Sequence, residues 1–334
     1  MRAMNVVAIG GGTGLAAVLR GLKPHVADSA RPAPLAPHIS RLTAIVTVTD
    51  EGGSSGRLRR EFGIPPSGDI RKCLVALAED EQLITRLFSY RFTGGRGLAG
   101  HSFGNLFLAA LTDLTRDFSK AVRVSSEVLA VRGEIFPSTL SDVRLKAELE
   151  SGRTVYGESR ITGTRVPVRR LHLVPARCRP LPEALSAIDR ADLITLGPGS
   201  LYTSLVPNLL VRGIPERIQR SRAVKIFVAN LMTQPGESRG YTAADHVRAV
   251  REHAGRNLFD YVVLNTRAFS PAMRRRYAAE GAEPVANDLD KVRALGVEPV
   301  CADLRGGNHV ARHDSAKLAR LLLALAARPL PRAR

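Results

Sequence analysis

Asn5–Leu22 reads NVVAIGGGTGLAAVLRGL. Val6, Val7, Ala8 and Ile9 form a short apolar run of the kind that is buried on both faces of a parallel sheet. Gly10, Gly11, Gly12 and Gly14 interrupt it around Thr13, and Leu15–Leu22 resumes with apolar spacing suited to a helix. Strand, glycine loop and helix in that order open a nucleotide-binding βαβ unit, whose helix N-terminus presents amide groups to an anion. Two familiar patterns do not match. A dinucleotide fingerprint counted from Gly10 needs glycine where Leu15 stands, and no Lys-Ser/Thr pair follows to make a Walker A loop. A tight packing turn is the alternative reading of the same glycines.

Further strands are expected at Leu42–Val48, Leu193–Leu196, Val224–Val228, Tyr261–Leu264 and Val297–Cys301, with helical stretches between them. Helices are expected at Asp69–Ala78, Glu81–Phe88 and Ser315–Ala327, the last capped by Asp314 or Ser315. Val128–Val131, Val143–Leu149, Val155–Tyr156, Val166–Val168 and Leu171–Val174 read as short strands joined by polar turns. The expected architecture is therefore α/β: a doubly wound, mostly parallel Rossmann-like sheet in one domain spanning 1–334. It carries an inserted β-rich subdomain over 122–175 and a Pro-rich surface loop over 24–40. Ligands of such sheets sit beyond the carboxyl ends of the strands.

The chain has 334 residues, enough for one large domain or two closely packed ones. Its net charge is +18, yet only seven of the 49 basic residues are Lys and the arginines are scattered. That distribution fits a GC-rich genome better than a polyanion surface. Aromatic residues make up 5% and Trp is absent, so base-stacking platforms are scarce and no nucleic-acid partner is expected. No apolar run reaches the length of a membrane span, and the apolar stretch at the N-terminus is too short for a signal peptide. Cys73, Cys178 and Cys301 are dispersed and odd in number. They point to a reducing cytoplasm with neither disulfide nor structural zinc.

Polar clusters follow nearly every expected strand, which makes them candidates for one composite site. After the second strand come Asp50 and Glu51, then Gly52, Gly53, Ser54, Ser55 and Gly56, read as a small-residue loop, and then Arg57, Arg59 and Arg60. Asp50 stands where a βα unit places a carboxylate for ribose hydroxyls or a metal, and the arginines can fork a phosphate. Pro65–Asp69 is a rigid turn in which Asp69 reads first as a helix cap, with Arg71 in the following turn. His101 and Asn105 in HSFGN suggest polar contacts rather than a hydrolase, because no GxSxG elbow exists. Gly197, Pro198, Gly199, Ser200, Tyr202, Thr203 and Ser204 form a second candidate anion cradle. Asn230 and Thr233, with Gln234 and Glu237, supply groups that read a base or sugar edge. Thr242 is expected to cap the helix that follows, with His246 on its surface. No transition-metal ligand spacing appears.

Taken in order, these motifs carry a resemblance. VVAIGGGTGLAAVLRGLK, TAIVTVTDEGGSSGRLRREFGIPPSGDIRKCLVALAED, LAGHSFGNLFLAALT, ADLITLGPGSLYTSLVPNLLV, NLMTQPGES and RHDSAKLA span nearly the whole chain. Together they are similar to the YvcK-like family of gluconeogenesis factors within the CofD-like superfamily, whose other branch holds the phospholactate transferases of coenzyme F420 synthesis. The family pattern has a second Asp where Glu51 stands and usually Asn where Lys72 stands. The resemblance implies a ligand-binding regulator with no assigned catalytic residues. Its ligand would be a nucleotide-diphosphate sugar such as UDP-N-acetylglucosamine or UDP-glucose. Links to gluconeogenic carbon metabolism, cell-wall synthesis and cell shape are implied too, with protein partners in cell-wall synthesis and a homodimer. It also associates Tyr277 and Arg312 with UDP-sugar binding. The alternative it leaves open is a transferase acting on an activated diphosphate donor. There Mg²⁺ would be the one cofactor, held by Asp50.

Overall fold

The computed structural model describes residues 3–27, 39–79, 83–307 and 310–328. Along the chain the strands are β1 (Met4–Gly10), β2 (Ile39–Val46), β3 (Glu134–Pro137), β4 (Arg144–Leu149), β5 (Thr154–Tyr156) and β6 (Val168–Val174). They continue as β7 (Leu193–Leu196), β8 (Val224–Val228), β9 (Tyr261–Asn265), β10 (Glu298–Ala302), β11 (Arg305–Gly306) and β12 (Arg312–His313). The first helices are α1 (Gly12–Leu22), α2 (Gly53–Phe62), α3 (Gly68–Leu77), α4 (Leu83–Ser89), α5 (Phe103–Thr115), α6 (Phe118–Val128) and α7 (Glu158–Thr162). After them come α8 (Pro182–Asp189), α9 (Val206–Leu209), α10 (Ile214–Arg220), α11 (Ala243–Ala254), α12 (Pro271–Ala279), α13 (Leu289–Ala294) and α14 (Ser315–Ala326).

Seven strands make one parallel sheet in the order β10-β9-β8-β7-β1-β2-β3. From β1 the chain steps outward through β2 to β3, then returns to the other side of β1 and steps outward again from β7 to β10. The direction of winding therefore reverses between β1 and β7, where Ile9 is in register with Leu196. A crevice opens at such a switch point because the loops leaving the two strands diverge to opposite faces of the sheet. Both strands are buried along their apolar residues, Val6 through Ile9 and Leu193 through Leu196. Burial on both faces is why they read as continuous apolar runs rather than as alternating ones. Each fully buried Leu, Ile or Val contributes about 1.5–3 kcal/mol, so this central pair anchors the domain.

Helix α1 packs against α3 and α14. Its start also lies hard against the loop after β7. A Cβ added at Gly14 would sit 2.1 Å from the carbonyl oxygen of Pro198, so no larger residue fits there. The two glycine motifs at the switch point are thus in direct contact. A separate antiparallel sheet, in the order β5-β4-β6, covers much of the segment expected to be β-rich.

Several expectations are corrected. Val128–Val131 is not a strand: Val128 ends α6, and Ala130 follows with a φ of 45°. Gly52 and the small residues after it are not a loop. Gly52 is the N-cap of α2 and Gly53–Gly56 form its first turn. Ser40, placed in the Pro-rich loop, belongs to β2, and Lys23–His25 form a 3₁₀ turn. Pro32, Pro34 and Pro37 fall outside the described residues. His246, expected on the surface of α11, is buried, and its Nδ1 pairs with the Thr242 carbonyl at 2.8 Å. Thr242 does cap α11, reciprocally with Asp245. Asp314 caps α14 by accepting from the amides of Ala316 and Lys317.

Candidate functional site

A cleft of about 380 Å³ opens at the switch point. The start of α1 contributes Thr13 and Gly14, with Arg20 two turns on. The loop after β7 contributes Pro198, Gly199 and Ser200, and the loop after β8 contributes Asn230, Thr233 and Gln234. Tyr277 from α12 and Arg312 and His313 from β12 close the far wall. No carboxylate lines the cleft among the described residues, whereas two exposed arginines do. Helix α1 adds its positive end, because Gly11 caps it without a side chain. The His313 imidazole is pushed down to about 4 by burial, so it faces the cleft uncharged near neutral pH, with Nε2 unpartnered. The net field favours an anion.

The walls are held from behind. Asn230 brackets Gly199, accepting from its amide at 3.1 Å and donating to its carbonyl at 2.8 Å. Gln234 Nε2 donates to Ser200 Oγ at 2.8 Å. Glu237 is buried and accepts from the amides of Tyr202 (2.8 Å) and Thr203 (3.3 Å) and from the Thr203 hydroxyl (2.8 Å). The loop after β7 therefore uses many of its own donors internally and enters a π-helical turn over Leu201–Leu205. It is a braced wall more than an open amide cradle. Tyr202 lies in the core, its hydroxyl paired with that of Tyr241 at 2.9 Å, and burial pushes that phenol up. Thr203 and Ser204 also lie behind the wall, while Thr233 exchanges hydrogen bonds with the backbone of Glu283. Tyr277 acts on the opposite wall: its hydroxyl accepts from the Ala311 amide at 3.0 Å and so sets the strand that carries Arg312.

A second cluster packs against the glycine loop at the start of α1. Asp69 does not cap α3; Ser67 occupies the N-cap position without a side-chain bond. Asp69 is instead buried against the glycine loop, where a Cβ at Gly11 would lie 2.6 Å from its Oδ2. Its Oδ1 pairs with the Lys72 ammonium at 2.9 Å. Burial works against that ammonium, but the charge of Asp69, its hydrogen bond and the charge of Asp50 together raise Lys72 above the ordinary lysine value. Asp50 accepts from the Gly52 amide at 2.8 Å and lies close enough to Glu158 of α7 for its charge to act on that carboxyl. Glu158 also accepts from the Glu51 amide at 3.0 Å. Burial, with the nearby charge of Asp50, pushes Glu158 up to about 8, so it holds a proton at neutral pH.

These pairings bear on a divalent ion. Mg²⁺ needs several free oxygens in octahedral array. Asp69 is engaged by an ammonium and Asp50 by an amide, so the residues as arranged do not fit such an ion.

Around this cluster the remaining candidates form a relay. Arg71 Nε donates to Asn105 Oδ1 at 3.0 Å, and Asn105 Nδ2 donates to Ser55 Oγ at 3.4 Å. Ser54 Oγ pairs with His101 Nδ1 at 2.9 Å, and burial followed by the charge of Arg57 lowers that imidazole. Arg57 turns away from the cleft to the Ala99 carbonyl at 2.7 Å. Glu51 also points away, toward Arg59 at 3.8 Å, while Arg59 itself reaches Asp142 and the Val143 carbonyl. Gly12 and Gly53 adopt positive φ at the starts of α1 and α2, and Gly197 does so after β7.

Arg20, His313 and Glu158 escape sequence reading. Arg20 shares a helix face with Thr13 and Ala17, a spacing that would have exposed it. Glu158 comes from a distant short helix and carries no local signal at all.

Comparison with known proteins agrees with this architecture. The family model described as 2-phospho-L-lactate transferase CofD matches residues 6–305. A gluconeogenesis factor of Bacillus subtilis is 46% identical over 321 residues, covering 96% of this chain and 97% of that protein. One from Halalkalibacterium halodurans is 45% identical over 324 residues, covering 97% of each. The crystal structure of a UPF0052 family member from Bacillus halodurans superposes with a TM-score of 0.89 at 45% identity, over 97% of this chain and 99% of that one. The fold and these matches make the chain a member of the CofD family.

Proposed function

We propose that the protein binds a nucleotide-diphosphate sugar of the UDP-N-acetylglucosamine or UDP-glucose type in the switch-point cleft and acts as a regulator without turnover. The observation that carries this reading is the charge layout. Arg20, Arg312 and the start of α1 surround a cleft that no carboxylate lines among the described residues, and amide and hydroxyl groups of Asn230, Thr233, Gln234 and Tyr277 stand beside them. The cations match a diphosphate, and the neutral polar groups match sugar hydroxyls or a base edge. An adjoining hollow of about 200 Å³ shares Asn230 and Leu231 with the cleft and adds Phe269 and Arg267, which suit a flat base. The relatives named gluconeogenesis factors support a role in gluconeogenic carbon metabolism, and the family resemblance extends that role to cell-wall synthesis and cell shape in the cytoplasm. Among the described residues no helix is long and apolar enough to cross a membrane.

A second reading, favoured by the description of the family model, is transfer of a phosphorus-containing group. In it Asp50 would hold the metal, an arrangement that the Asp50–Gly52 and Asp69–Lys72 pairings disfavour. Calorimetric titration with UDP-N-acetylglucosamine and with a guanosine diphosphate ester separates the two. Binding of the uridine compound, recovered unchanged after long incubation, supports the regulator. Exclusive binding of the guanosine ester would overturn it.

A further inference from the structure

Four carboxylates crowd the junction of β2, α2, α3 and α7, beside a cleft whose ligand is an anion. Uncompensated, they would repel a diphosphate approaching the start of α1. Their compensation is visible in the side chains. Glu51 faces Arg59. Asp50 accepts from the Gly52 amide at 2.8 Å, and Glu158 accepts from the Glu51 amide at 3.0 Å. Asp69, packed against Gly11 at the start of α1, is paired with Lys72. Lys72 is one turn along α3 from Asp69, so the i, i+3 spacing fixes its ammonium on that carboxylate. About a third of the Lys72 side chain stays exposed, which leaves ammonium donors for another partner.

We propose that Lys72 is the resident cation of this site, taking the place of a divalent ion by neutralising Asp69 and pairing with the diphosphate of the bound ligand. The inference rests on the nucleotide-diphosphate reading above and goes beyond it by making binding independent of metal. A lysine ammonium suits the task. It is a point charge with three rotatable donors, so one can remain on Asp69 while others meet phosphate oxygens. Lys72→Gln keeps a donor and removes the charge, and Lys72→Met removes both at similar length. Either change leaves Asp69 free as an anion beside Asp50.

The experiment has two arms on the full chain. Mn²⁺ alone is titrated by electron paramagnetic resonance into the wild type, Lys72→Gln and Lys72→Met. UDP-N-acetylglucosamine is titrated calorimetrically into the same proteins in EDTA and in Mg²⁺. The expected result is weak Mn²⁺ binding to the wild type and affinity at least about tenfold higher in the folded variants, because an adjacent positive charge has gone. The nucleotide-sugar should bind the wild type equally in EDTA and Mg²⁺, and the variants better in Mg²⁺. Nucleotide-sugar binding to the wild type that requires Mg²⁺ would overturn the inference while leaving the proposed function standing. So would wild-type Mn²⁺ binding as tight as that of the variants. Absence of nucleotide-sugar binding in every condition would instead remove the proposed function, and with it the ligand-pairing role of Lys72; the Mn²⁺ arm would still decide whether Lys72 displaces a metal. Should both variants fail to fold, the EDTA and Mg²⁺ titrations of the wild type decide alone.

Discussion

Glu237 holds Thr203 twice, accepting from its amide at 3.3 Å and from its hydroxyl at 2.8 Å. The same carboxylate takes the Tyr202 amide, so one side chain from the loop after β8 fixes the π-helical turn after β7. Glu237→Ala leaves three buried donors unpaired. It should lower stability by about 2–4 kcal/mol, read as a lower denaturant midpoint at unchanged slope. Glu237→Gln retains an acceptor and should fall between the two. An alanine variant as stable as the wild type would show that this turn holds itself.

Gly14 has no room for a methyl group against the Pro198 carbonyl. Gly14→Ala must push α1 from the loop after β7, at a cost of about 1–3 kcal/mol. Because both pieces line the cleft, affinity for UDP-N-acetylglucosamine should fall as well. Parallel denaturation and calorimetry check the prediction; stability lost with affinity intact would separate the turn from the site.

Stability should also depend on pH through Glu158. Its folded value, about 8, lies above the ordinary carboxyl value, so the folded state binds more protons than the unfolded state between the two. The contribution is therefore full below about pH 4.3 and is lost as pH rises through about 8. Glu158→Gln mimics the protonated form and should flatten the stability profile over pH 5–9. Equal slopes for the two proteins would contradict the raised Glu158 carboxyl.

Tyr277→Phe removes the acceptor for the Ala311 amide while keeping the ring. The expected effect is a modest stability loss of about 1 kcal/mol and a larger proportional loss of ligand affinity, because the strand bearing Arg312 is released. Calorimetry beside thermal melting distinguishes this from a ring that merely fills space.

The parts legible in the sequence share a physical cause. β1, β7, β8 and β9 are buried on both faces, so their apolar runs stand out and the glycine motifs after β1 and β7 fall at the switch point where a ligand crevice forms. Legibility ends where long-range packing overrides local preference. Gly53 begins a helix although glycine disfavours one. Asp69 looks like a cap but is drawn to Lys72 and the glycine loop. His246 looks like a surface residue of α11 but turns inward to the Thr242 carbonyl. Glu158 reaches Asp50 across more than a hundred residues, a proximity that no spacing rule anticipates.

The central claim is that the switch-point cleft binds a nucleotide-diphosphate sugar through cations on its rim, and Arg312 tests it most directly because its exposed side chain carries little of the fold. The measurement is calorimetric titration of UDP-N-acetylglucosamine into the wild type and Arg312→Ala, with melting curves of both. The account predicts one ligand per chain, affinity lowered about ten- to a hundredfold by the substitution, and coincident melting curves. Equal affinities, or no binding to a folded wild type, would contradict it.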